Sequence, residues 1–166
     1  PTAYGVGVLN SIKPAIPFSE ELVVNGNFTE LPLGTGWSST ETSPNIVQFQ
    51  TDQVYLKRTV SAANELFQSV FVIGKTYKVT IQANIISEGI AIEGNGNLSR
   101  TNLISGANVF YLTATDGSLR IICVDNTTEG YVSNVSVVEQ IDADFDFTRN
   151  SSATRVNPDY LIQDVS

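Results

Sequence analysis

The sequence predicts an all-β protein, a β-sandwich or barrel preceded by an extended N-terminal arm. Three observations carry this. Apolar and polar residues alternate with period two in the best-patterned stretch. Short β-branched and aromatic runs recur along the chain. Gly/Asn-rich turn signals separate them, and no window keeps a helical period for long.

Residues 1–19 hold three prolines and no clear period, which reads as an extended arm. Residues 20–139 form the predicted β-region. The first run in it is "QVYLK" (53–57). "KTYKVTIQANII" (75–86) follows, with Tyr77, Val79, Ile81, Ala83 and Ile85 on one face and Lys78, Thr80, Gln82 and Asn84 on the other. "IAIEG", "VFYLT", "LRIICV" and "YVSNVSVV" continue the series. Asn25-Gly26, Gly94-Asn95-Gly96-Asn97 and Asp116-Gly117 mark turns. Residues 140–166 are poor in core-forming pattern. A segment of this kind does best when another module or chain covers it.

Composition narrows the function classes. Of 166 residues, 42% are hydrophobic, enough for a packed core. The net charge is −8, from 17 acidic and 9 basic residues, which argues against a nucleic-acid surface. There is no His, which removes His-based general bases and Ser-His-Asp triads. The single Cys, Cys123, lies in a strand-like run and reads as a core thiol, with no disulfide partner. No apolar stretch approaches the ~18 residues of a membrane helix, so no membrane insertion is expected. The opening "PTAYGVGVLN" lacks a signal-peptide pattern. With no Met in the chain, a start Met removed ahead of Pro1 is the expectation.

Motifs with chemistry are few. Asp142, Asp144 and Asp146 alternate as at the start of an EF-hand loop. The places that need Gly and Glu hold Phe147 and Ala153, so the stretch reads as an extended acidic segment. No pair of carboxylates is anchored by pattern. Catalytic, cofactor-binding and metal residues are therefore none, and the chain is not expected to be an enzyme. Trp37 and Tyr55 are the candidate platforms for a sugar, each with packing as the alternative role.

Two family resemblances follow. "ELVVNGNFTELPLGTGW" (21–37), "GKTYKVTIQANI" (74–85) and "YVSNVSVVE" (131–139) resemble the opening, central and closing motifs of carbohydrate-binding-module jelly rolls, which implies an antiparallel jelly-roll β-sandwich over residues 20–139. Thr29 and Ser133 stand where that family commonly has calcium-binding carboxylates, so no calcium is expected. "DFTRNSSATRVNPDYLI" (146–162) resembles a segment of tail-fibre, collar and other virion proteins of phages that infect Bacteroidetes-like bacteria. That second resemblance implies a phage virion structural protein, a tail or head fibre or attachment component, in which residues 140–166 are a C-terminal joint segment leading to a further C-terminal module. Its role would be assembly and host adsorption, and it would be made in a bacterial cytoplasm and located in the virion. It implies other virion proteins as partners, a homo-oligomer with a trimer favoured, and a bacterial surface glycan as a possible ligand. Phe147, Arg149, Arg155 and Leu161 would make the inter-chain or inter-module contacts. The alternative function is a carbohydrate-binding module of a secreted, polysaccharide-targeting protein.

Overall fold

A computed structural model describes residues 17–87, 89–93 and 100–141, with the backbone of 153–156 and 162–165. It contains two five-stranded antiparallel sheets packed as a sandwich, as expected of a jelly roll. The strands are β1 (Ser38–Glu41), β2 (Ile46–Gln50), β3 (Gln53–Lys57), β4 (Asn64–Ser69), β5 (Thr76–Ser87) and β6 (Ile90–Glu93). They continue with β7 (Thr101–Asn102), β8 (Gly106–Thr113), β9 (Ser118–Cys123) and β10 (Glu129–Glu139). One sheet has the order β1-β4-β9-β6-β7 and the other β2-β3-β10-β5-β8. The chain therefore crosses repeatedly between layers, and most neighbours in a sheet are distant in sequence.

The period-two pattern of β5 holds. Tyr77, Val79 and Ile81 are fully buried, Ala83 nearly so, and Ile85 is partly buried against the core. Opposite them, the other sheet turns in Leu66, Ile90, Leu119 and Ile121. Burying each such side chain contributes about 1.5–3 kcal/mol, so the two inner faces are the main source of stability. β2 and β4, "IVQFQ" and "NELFQS", were not legible as strands in the sequence. Their amide-rich composition is tolerated because Gln48 faces out, while buried Asn64 and Gln68 find carbonyl partners.

β10 pairs with β5 along its length, but with β3 only through Glu129–Val132. Beyond that point residues 17–26 take β3's place. Val135 N–H donates to Gly26 O, Leu22 N–H to Val137 O, and Ser19 N–H to Glu139 O. Pro17 O accepts from Ile141 N–H, and Phe18 bridges Gln140. The inner ends of the predicted arm and joint thus pair with each other on the sandwich. Further on, β11 (Ala153–Val156) and β12 (Ile162–Val165) form an antiparallel hairpin with Arg155 in register with Gln163. The sequence did not single out strands in this stretch. The short halves of the hairpin are too brief for period two to show.

Candidate functional site

The outward face of the sheet β2-β3-β10-β5-β8 offers the richest constellation among the described residues. In β3, Val54 and Leu56 are fully buried, so Gln53, Tyr55 and Lys57 project to the opposite side. In β10, Val132 is buried and Glu129, Tyr131 and Ser133 project outward. Register then assembles a row across four strands, because Gln48 is opposite Tyr55, Tyr55 opposite Tyr131, and Tyr131 opposite Asn84. Directly opposed side chains on one face sit within contact distance.

The two tyrosine rings meet with centroids 5.1 Å apart at 42°. Tyr55 O–H donates to Glu129 Oε1 at 2.8 Å, and Lys57 Nζ donates to Glu129 Oε2 at 2.9 Å. One carboxylate therefore ties together a phenol and an ammonium. Lys57 first, and then Tyr55, hold the Glu129 carboxyl below the usual glutamate range. The same bond raises Lys57. Partial burial, then the bond to Glu129, raises the Tyr55 hydroxyl. At neutral pH the trio is one anion, one cation and one neutral donor, with the aromatic rings beside them.

Next to this cluster the face is polar, and farther along β5 and β8 it carries Lys78, Val109 and Tyr111. Gln48, Gln53, Gln82, Asn84 and Ser133 present amides and a hydroxyl. Among the described strand residues of this face the one carboxylate is Glu129. A hydrolytic pair would require a second.

The sequence candidates separate here. Tyr55 stands in the centre of the cluster. Trp37 does not belong to it and offers no stacking surface. It is 8% exposed, its ring lies 5.4 Å from Phe28, and its Nε1–H donates to Asn25 O at 3.2 Å. The Gly34–Gly36 turn folds it inward to fill the core beside Phe28, which is why it is packing and not a platform. Phe147, Arg149 and Leu161 lie outside the described residues. Arg155 lies on β11, of which the backbone alone is described. Cys123 is buried, which pushes its thiol up to about 12 and leaves it unreactive at neutral pH.

Tyr131, Glu129 and Lys57 were not singled out from the sequence. Tyr131 opens the run "YVSNVSVV" and precedes a core valine, so its outward aim was readable. Its meeting with Tyr55 was not, because strand order is not written in local period.

No protein-family model matches the chain. No curated protein matches it. Among solved structures, one described as "CBM4 structure and function" is similar at 18% identity over 71% of this chain and 99% of that one, with a TM-score of 0.42.

Proposed function

We propose that this chain is a non-catalytic glycan-binding module and that the outward face of the β2-β3-β10-β5-β8 sheet is its binding surface. The observation that carries this is the half-buried Tyr55–Tyr131 pair on the outward face of the sheet beside Glu129 and Lys57. A sugar ring has an apolar C–H face and a rim of hydroxyls. Aromatic rings cover the first, and carboxylate, ammonium and amide groups take up the second. Charge-assisted bonds from Glu129 and Lys57 to hydroxyls are the stronger ones. A broad, open sheet face on which Glu129 is balanced by Lys57 favours an uncharged polysaccharide chain over an enclosed small molecule. On a phage particle, the setting that the C-terminal resemblance implies, this face would meet bacterial surface glycan.

The test is affinity electrophoresis and glycan-array binding of the full chain against neutral polysaccharides. Tyr131→Ala, Tyr55→Ala and Glu129→Gln are compared with the parent after circular dichroism confirms their fold. Each loss should weaken binding about tenfold or more, which corresponds to about 1.4 kcal/mol. Parent binding that survives Tyr131→Ala and Tyr55→Ala together, or no binding to any glycan, would overturn the proposal.

A further inference from the structure

β8 closes one side of its sheet. Among the described strands it pairs with β5 alone, so its far edge carries backbone N–H and C=O groups with no strand beside them. The other outer strands are short or guarded. β1 has four residues and carries Glu41; β7 has two residues. On β2, the Ile46 carbonyl accepts a bond from Asn64 Nδ2. β8 runs for eight residues, "GANVFYLT", with no proline and no charged side chain. In a chain of net charge −8, an uncharged strand is where two copies meet least repulsion.

Exposed apolar side chains collect along the same edge. Val109 is 51% and Tyr111 62% exposed on the outward face. Ile104, just before the strand, is 69% exposed. Val72 and Ile73, at 60% and 70%, sit in the turn whose Gly74 N–H donates to Ala114 O at the strand's other end.

We infer that β8 is where a second copy of this chain docks, strand against antiparallel strand, about a two-fold axis at Phe110. Directly opposed residues in an antiparallel pair share a face. Centring on Phe110 sets Val109 of each copy opposite Tyr111 of the other and closes a four-residue apolar cluster. A slip of one residue would set each outward side chain against an inward one. The antiparallel direction also carries Ile104 of one copy toward the Val72–Ile73 turn of the other. The contact is isologous and closes at two copies, not the three the C-terminal resemblance favours.

One strand pair is a small interface of the weak, reversible kind. Sedimentation equilibrium of the full chain, from micromolar to millimolar concentration, should show the mass rising from 17.9 kDa toward twice that value. Val109→Lys sets an ammonium group into the seam and should hold the chain at monomer mass, with an unchanged far-UV spectrum. Disulfide trapping is an independent measurement. Under oxidation, a mixture of Val109→Cys and Tyr111→Cys chains should cross-link faster than either variant alone. Native Cys123, 2% exposed, does not compete. A monomer at every concentration, a dimer indifferent to Val109→Lys, or mixed trapping no faster than the single variants would each overturn the inference.

Discussion

Gly26 and Gly117 both stand in dipeptides that read as tight turns, Asn-Gly and Asp-Gly, yet replacing each with alanine should give opposite results. A Cβ built on Gly26 would lie 1.9 Å from Val135 O, 3.0 Å from Val135 C and 3.1 Å from Val23 Cγ1. The nearest atom is β10 backbone and cannot swing aside. Residues 17–26 would have to lift off β10, stretching the Val135 N–H bond to Gly26 O, now 2.8 Å. That bond contributes about 1 kcal/mol, and forcing packed neighbours apart costs about 1–3 kcal/mol more. Fully buried Phe28, two residues on, would shift with the segment. Gly26→Ala should therefore destabilise by about 2–4 kcal/mol and lower the melting temperature by about 10 °C. At Gly117 the nearest atom to an added Cβ is Phe71 O at 3.9 Å, and φ lies outside the left-handed region. Gly117→Ala should be neutral or stabilise by about 0.4–1 kcal/mol, through lower entropy of the unfolded chain. Thermal melts and urea titrations of the parent and both variants decide. Equal effects at the two positions would refute the close-approach reasoning.

Two further outcomes are expected. The folded Glu129 carboxyl titrates below its unfolded value, so its contribution is present above the ordinary glutamate range and lost as pH falls through the lowered value. Lys57 and Tyr55 are raised, so their contributions are present at neutral pH and lost as pH climbs through the raised values. Side-chain NMR titration should show Glu129 ionising below a free glutamate and Tyr55 above a free tyrosine, with the Glu129 displacement shrinking in Lys57→Met and the Tyr55 displacement shrinking in Glu129→Gln; ordinary midpoints in the parent would count against the cluster. The chain should also bind no calcium tightly. The Thr29 hydroxyl donates to Asn27 Oδ1, Ser133 faces the outer surface, and the described residues contain no cluster of three acidic or other ligating side chains. Melts with calcium and with chelator should coincide, and a clear rise with calcium would refute this, because binding to the native state must stabilise it.

The sequence by itself determined what depends on neighbours along the chain. Alternation in "TYKVTIQANI" set the inward row of Tyr77, Val79 and Ile81, because successive strand residues must point to opposite faces. The apolar run around Cys123 placed that thiol in the core for the same local reason. Tertiary structure alone decided what depends on which strands lie side by side. Tyr55 and Tyr131 share no local pattern; they meet because β3 and β10 pair in one register and no other. Trp37 could have stood on the surface by composition, and it is inside because the loop around Gly34 and Gly36 turns its ring onto Phe28. Gly26 is required by the distance to Val135, over a hundred residues away, and not by its own turn. Local period fixes only the side of the sheet that a residue faces. Register, order and close approach come from fitting two whole sheets around one core, which is a property of the entire chain.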